Sequence, residues 1–521
     1  MRIPPAFLSM TGRWTTCGLA ALLLTACGGG GGGGYNGGGP PPPTMYSIGG
    51  TVTGLSASGL TLDDNGGDTL TVSSGASTFT FATKVQSGGA YAVTVASQPT
   101  GETCTVSSGS GTASANVTSV AIACAANPTY TIAGTITGLT GAGLKLQYYS
   151  GGEVLSVATA ATTFTFKNPV PSGTNVKMTV AAQPGFQTCT PGGSNFSGPI
   201  MANITTDTLS CATATATVSL FAGSPTGVAN NTNGTGPNAT FNSPAGVALD
   251  SKGNLYVADF GNNEIREITP AGVVTTFAGA NGTTFNGPAG VAVDSAGNVY
   301  VADENNNEIE MITPAGVVSV FAGSTTAGNA NGTGTGAKFN APKGIAIDSS
   351  GNLWVADSGN DNIREITVPG AVVTTYAGTG SAGNANGNGT SASFNNPVGL
   401  AVDSSGDLYV ADFGNNEIRK IDSTDAVTTF VPASAGLSGP YGVALDSGGN
   451  LYVTDSAHYE IRMVTPNAVV TTIAGGNLGL TNGTGAAAEF NFPFGIVVNA
   501  TGDVFVGDFA NNEIRELVPV P

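Results

Sequence analysis

Histidine is nearly missing from this chain: His458 is the single copy in 521 residues. Imidazole is the side chain that trades protons near neutral pH and the usual nitrogen ligand of catalytic metals. One copy excludes multi-histidine metal centres. It also excludes histidine-activated serine or cysteine nucleophiles, which need a base beside them. Positive charge is scarce as well, with 15 Lys and Arg against 33 Asp and Glu and a formal net charge of −18. A surface of that sign repels phosphate backbones, which excludes nucleic acid as a partner, and gives no charge-driven adsorption to anionic lipid. Charged residues together make only 9% of the chain, so long helices built from Glu, Lys and Arg are not expected. Beyond the first 26 residues no apolar run is long enough for a helix to cross a bilayer.

The residues in excess are 79 Gly and many Thr, Ser and Asn, on top of a hydrophobic content of 40%. That mixture suits many short strands joined by tight turns, with enough apolar surface for real cores. Length alone asks for about two to four domains. The opening residues read as an address, with Arg2 and Arg13 forming a basic segment and Gly18 to Ala26 an apolar one. The apolar segment ends in Leu24-Thr25-Ala26-Cys27, which resembles the lipobox of bacterial lipoproteins. That resemblance implies a signal peptide over 1–26, lipidation of Cys27 and a lipid-anchored place in the bacterial cell envelope. Gly28, rather than Asp, follows the lipidated position, which by the same resemblance points to the outer membrane. The competing reading is an ordinary cleaved signal peptide with an incidental cysteine. Residues 27–45, running from Gly28 to Gly39 and then Pro40 to Pro43, are expected to form a flexible and then a stiff linker.

Two related segments follow. Tyr46-Ser-Ile-Gly-Gly-Thr-Val-Thr-Gly-Leu55 returns as Tyr130-Thr-Ile-Ala-Gly-Thr-Ile-Thr-Gly-Leu139, and Thr78-Phe-Thr-Phe81 as Thr163-Phe-Thr-Phe166. Alternating apolar positions and Gly-rich turns predict two small β-sandwiches, over 46–126 and 128–212. They resemble the immunoglobulin-like or transthyretin-like spacer modules of bacterial surface proteins, and a stalk is expected. With Cys17 removed and Cys27 acylated, four cysteines remain, which allow three pairings. The pairing that respects the repeat is Cys104–Cys124 and Cys189–Cys211.

From residue 216 onward a longer unit recurs at intervals of about 43 to 55 residues, the spacing of propellers and solenoids. Its centre is Tyr256-Val-Ala-Asp259, Tyr300-Val-Ala-Asp303, Trp354-Val-Ala-Asp357, Tyr409-Val-Ala-Asp412, Tyr452-Val-Thr-Asp455 and Phe505-Val-Gly-Asp508. Each is preceded by a Pro-x-Gly strand and followed by an Asn-rich turn, then Glu-Ile-Arg or a variant, then a Val-x-Thr-x-Ala-Gly strand. The set resembles the NHL repeat family. That resemblance implies an all-β fold, a six-bladed propeller over 216–521 preceded by two small disulfide-bonded sandwiches. The last unit stops at Glu513-Ile-Arg-Glu-Leu517 without its outer strand, and the missing strand stands at the front as Val218-Ser-Leu-Phe-Ala-Gly223. A ring closed by that first strand leaves no unpaired edge. Length variation gathers in Gly/Asn/Thr insertions at 224–240, 324–338, 379–393 and 476–489, on the face that also carries the Asn-Asn turns, so that face is expected to bind.

Six copies of the Val-Ala-Asp aspartate point to turn capping rather than to a catalytic or metal site, and the aromatic residue before each is expected to pack between blades. Departures from the repeat carry more information. Glu310 stands where Arg266, Arg364, Arg419, Arg462 and Arg515 stand elsewhere. Tyr441 and Phe494 occupy the x of Pro-x-Gly, otherwise Ala245, Ala289, Lys343 and Val398, and are candidate ligand contacts at the channel mouth. Asn262, Asn263, Asn415 and Asn416, in the turns of that face, are the other candidates. No catalytic residue, metal ligand or cofactor is assigned. The first functional expectation is a non-catalytic binding module for proteins or glycans at the cell surface, held to the membrane only through its lipid and acting as a monomer. The alternatives are a calcium-dependent hydrolase resembling gluconolactonase propellers, and an adhesive or structural surface protein.

Overall fold

The computed structural model describes residues 41–520 other than 150, 194, 281 and 283. Cys27, the signal peptide and most of the linker lie outside the described residues. Among the described residues there is no α-helix, only strands, turns and single 3-10 turns, and no helix long and apolar enough to cross a membrane.

In the unit that ends at Ala126, Ile48–Thr53 pairs with Thr78–Thr80 on one side and runs parallel to Val117–Ala126 on the other. Glu102–Ser107 completes this four-stranded sheet, and Cys104 faces Cys124 across the last pair, joined as a disulfide. A second sheet, built around Leu60–Asp64 and Ala90–Ser97, covers it. Ile48, Leu60, Leu62, Phe79, Phe81, Val120 and Ile122 fill the space between them. Alternation of buried and exposed residues along the strands is what a two-layer sandwich needs.

The second unit, from Asn127 on, begins with a similar arrangement. Ile132–Thr137 lies between Thr163–Thr165 and Ile204–Thr213, and Cys189 is disulfide-bonded to Cys211 across the pair with Gln187–Pro191.

The rest of this unit is a β-propeller of repeated antiparallel sheets, six of them among the described residues, each of four or five strands. In sheet one the strands are Pro244–Leu249, Leu255–Asp259, Glu264–Ile268 and Val273–Ala278, from the inside outward. The second strand of every sheet is buried along its whole length. It is sandwiched between neighbouring sheets, which is why Leu-Tyr-Val-Ala reads as an unbroken apolar run. The glycine of Pro-x-Gly has a steric cause. A Cβ on Gly246 would strike the carbonyl oxygen of Ala289 on the next inner strand. The same contact recurs from sheet to sheet, and Gly495 of sheet six meets the carbonyl of Ala245 of sheet one. The outer strand of sheet six is Ala216–Gly223, paired from Ala216↔Pro519 to Gly223↔Glu513.

The aromatic residue of the second strand packs edge-on against one from the outer strand of its own sheet: Tyr256 on Phe277, Tyr300 on Phe321, Trp354 on Tyr376, Tyr409 on Phe430 and Phe505 on Phe221. Sheet five has Ile473 in the outer position, and Tyr452 is met instead by Phe186 of the preceding sandwich, ring centres 5.4 Å apart. Phe186 is fully buried there. The sandwich therefore docks on the end of sheets five and six that carries the Asp446 and Asn499 turns, where a cleft of about 660 Å³ separates the two.

The aspartate that ends the second strand organises the opposite end. In sheet one, Asp259 Oδ1 accepts the Asn242 N–H (2.8 Å), and Oδ2 accepts the Asn262 amide (2.9 Å) and Arg266 Nη1 (3.0 Å). Arg266 also donates to the Thr240 carbonyl and to Asn233 Oδ1, and lies over the Phe241 ring at 5.3 Å. Asp259 and Arg266 are both fully buried. The same bonds recur around Arg364, Arg419 and Arg515. Asn233, Asn331, Asn386 and Asn482 all lie in the long insertions, so each guanidinium grips the insertion leading into its own sheet. Two residues of each insertion then pair with that sheet's outer strand, as Gly234–Thr235 does with Val273 and Val274, giving a fifth strand over the edge. Removing one partner of such a pair leaves an uncompensated buried charge. Arg364→Ala is expected to lower the unfolding free energy by about 3–5 kcal/mol, read by urea denaturation through Trp354 fluorescence. A loss below about 1 kcal/mol, the scale of exposed ion pairs, would rule out that role.

Candidate functional site

Two residues of each sheet converge on the channel mouth: the x of Pro-x-Gly and the residue after the buried aspartate. The second set is Phe260, Glu304, Ser358, Phe413, Ser456 and Phe509. In sheets three and five the serine hydroxyl is turned inward, Ser358 to the Pro397 carbonyl (2.6 Å) and Ser456 to the Pro493 carbonyl (2.5 Å). The remaining residues divide the mouth into two halves.

One half is aromatic. Tyr441 and Phe494 stack face to face, centres 3.8 Å apart and planes 2° from parallel. Phe494 stacks on Phe509 at 4.2 Å, Phe509 meets Phe260 at 6.1 Å, and Phe413 abuts Tyr441 edge-on at 6.2 Å. All five rings are half-buried, and they form an unbroken arc over sheets four, five, six and one. The other half is charged: Lys343 Nζ lies 3.7 Å from Glu304 Oε1. Burial pushes the Glu304 carboxyl above its ordinary range, while Lys343 acts against the shift. Burial, and next the Glu304 charge, hold the Tyr441 phenol well above its ordinary value.

Below the mouth the channel narrows to a cavity of about 70 Å³, lined by Gly246, Gly290, Gly344, Gly399, aliphatic side chains, Lys343 and Tyr441, with no carboxylate among its lining residues. That is room for a few waters and far below the volume of a metabolite pocket. The open surface of the site is therefore the mouth rather than the channel.

Phe492 and Tyr459 extend the aromatic character of sheets five and six. They meet edge-on at 5.4 Å, both hold left-handed backbone (φ 52° and 58°), and Phe492 is 42% exposed. The residues matching Tyr459 elsewhere are Asn263, Asn307, Asp361, Asn416 and Asn512, types that tolerate this conformation, and those matching Phe492 are Ser243, Gly287, Ala341, Asn396 and Gly439.

The four candidate asparagines are engaged inside the fold. The Asn262 amide bonds Asp259 and the Asn230 carbonyl, and the Asn415 amide bonds Asp412 and the Gly383 carbonyl. Asn263 Oδ1 accepts the Gly287 N–H and Asn416 Oδ1 the Gly439 N–H, at 2.7 Å each. Tyr441 and Phe494 do come together. Sequence reasoning missed Phe260, Phe413, Phe509 and Glu304, although the variable position after each aspartate was the available signal. Asp455, His458 and Glu460 bring ligand atoms within 4.8 Å of one another, but Arg462 already bonds both carboxylates.

Four segments, 241–268, 285–310, 339–365 and 394–421, match the NHL repeat. NHL repeat-containing protein 2 of Bos taurus is 39% identical over 107 residues, 20% of this chain and 15% of that protein. The chain thus spans about a seventh of the length of that relative. Among solved structures, a Bacteroides thetaiotaomicron protein of unknown function aligns with a TM-score of 0.49 at 18% identity, covering 72% of this chain and 90% of that one. An auxiliary nutrient binding protein of the same organism aligns with a TM-score of 0.47 at 15% identity, with the same coverage of 72% and 90%.

Asn416→Ala removes one buried acceptor and places a Cβ-bearing aliphatic residue in left-handed backbone. It is expected to cost about 1–3 kcal/mol in denaturant unfolding without weakening any ligand held at the mouth. A variant of unchanged stability that lost ligand would return Asn416 to the site.

Proposed function

We propose that residues 216–521 are a six-bladed propeller closed by its own first strand, and that its aromatic mouth is a non-catalytic binding site for a protein or glycan at the bacterial cell surface. Residues 46–126 and 128–212 are then spacer domains, and Cys27 carries the lipid that holds the protein to the outer membrane. The five-ring arc carries the reading. Contiguous apolar rings half open to solvent mark interaction sites, and aromatic faces and edges suit both sugar rings and apolar side chains. The docked sandwich leaves the mouth free, because it lies at the other end of sheets five and six. Closure is supported by the pairing of Ala216–Gly223 and by Gly495 facing Ala245. A calcium-dependent hydrolytic centre in the channel would need carboxylate ligands there, and the lining residues are glycine, aliphatic residues, Lys343 and Tyr441.

Screening the full-length protein against envelope glycans and peptide libraries, followed by titration of the hits, tests this reading. Tyr441→Ala and Phe494→Ala should each weaken binding at least about tenfold, or about 1.4 kcal/mol, with the melting temperature nearly unchanged. Hits bound equally well by the double variant would overturn the site. Deleting 216–223 should lower the melting temperature by about 10 °C or more, and unchanged melting would overturn closure.

A further inference from the structure

In five sheets a guanidinium neutralises the buried aspartate; sheet two reverses that charge. Its third strand runs Glu308-Ile-Glu310, and Glu310 lies opposite Val301 as Arg266 lies opposite Val257. Asp303 keeps the neighbours of its counterparts, accepting the Asn286 N–H (2.9 Å) and the Asn306 amide (2.7 Å). Glu308 sits directly across from it. Asp303 is fully buried and Glu310 is 4% exposed. Glu310 Oε2 is buried without a hydrogen-bond partner. Among the described residues no lysine or arginine forms an ion pair with any of the three, since Lys343 pairs with Glu304. Burial first, then the charges of Asp303 and Glu308, push the Glu310 carboxyl up to about 8, and burial takes Asp303 to about 6.

A buried carboxylate without a counter-charge is strongly unfavourable. The place that four sheets fill with a fully buried guanidinium here holds an unpaired carboxylate oxygen, two residues along the strand from Glu308, which lies opposite Asp303. We propose that Asp303, Glu308 and Glu310 bind a divalent cation of the calcium type, which takes the place of the guanidinium. An all-oxygen, all-carboxylate donor set selects hard cations. The charge balance also agrees. Asp259, Glu264 and Arg266 sum to −1, and three carboxylates with a divalent cation sum to −1 as well. Among the described residues only Asp455, His458 and Glu460 stand at mutual ligand distance, so the ion draws Glu308 and Glu310 in by side-chain rotation. The ion is structural, anchoring the turn that carries Glu304, and lies apart from the channel.

The test uses the full-length protein, stripped with chelator and titrated with calcium by calorimetry and thermal shift. The wild type should bind about one calcium and melt at higher temperature with it. Glu310→Arg, which installs the residue of the other sheets, should bind at least tenfold more weakly and gain no calcium-dependent stabilisation. Glu310→Gln should also lose at least tenfold and covers the case in which the arginine variant does not fold. A wild type that shows no calcium response, or either variant binding as the wild type does, overturns the proposal. Because Tyr441 and Phe494 take no part, their variants should keep the calcium response whatever becomes of the proposed ligand site.

Discussion

The propeller depends on one buried acceptor, the aspartate that closes each second strand. Its position is forced: the strand is walled in by neighbouring sheets, and the chain must turn at once to start the third strand. A carboxylate there accepts the backbone N–H of the entering segment and the amide of the turn. Those bonds fix the turn and the start of the sheet together. Dehydrating the carboxylate is costly unless a cation meets it, and the arginine seven residues later supplies one at 3.0 Å in sheet one. The guanidinium has donors to spare. It uses them on the insertion that enters the sheet, with a phenyl ring beneath as its apolar floor. One charge pair thereby sets the turn, the loop, the edge strand and the aromatic anchor.

This coupling explains why the insertions are structural although they look like binding loops. Sheets one, three, four and six have both a buried arginine and a long insertion with Asn-Gly. Sheets two and five have short connections, and there the arginine is replaced by Glu310 or, as Arg462, is partly exposed and bonds Asp455 through Nε. Loop length and arginine geometry vary as one unit. The insertions cover the outer strand edges, which an isolated sheet would otherwise present for pairing.

Much of this was legible in the chain, because a repeat shows its own rules. Six copies of a strand, a turn and a strand predicted sheets of four strands, and the sandwich repeats predicted the cysteine partners that the structure joins. The sequence was silent on the aromatic arc for a physical reason. Tyr441 and Phe494 belong to first strands, whereas Phe260, Phe413 and Phe509 belong to turns, and only the folding of Pro-x-Gly beside the turn of its own or the preceding sheet brings the two columns together. The Asn-Asn turns have a second role that the sequence did not show. The Asn262 and Asn415 amides bond the buried aspartates, and Asn263 and Asn416 hold the left-handed backbone of the turn. Phe186 carried no signal either, since its partner Tyr452 lies in a different domain-scale repeat.

In an array of near-identical sheets, the places where the repeat fails carry the information, and the cost of each failure separates accident from selection. Replacing a turn asparagine by Tyr459, or placing Phe492 before a proline with φ 52°, moves a bulky residue into left-handed backbone at roughly 1–2 kcal/mol. Tyr459 packs partly against the core of sheets five and six, whereas Phe492 keeps 42% of its surface exposed. Such strain persists where the exposed ring is itself the useful feature. The stacked pair Tyr441 and Phe494 stands in the same two sheets, so strain and exposed aromatic surface coincide. The sandwich docks on those sheets too, at their other end. One side of the propeller is therefore packed from below by Phe186 and left apolar above, and a surface ordered in this way would lose little entropy on meeting a ligand.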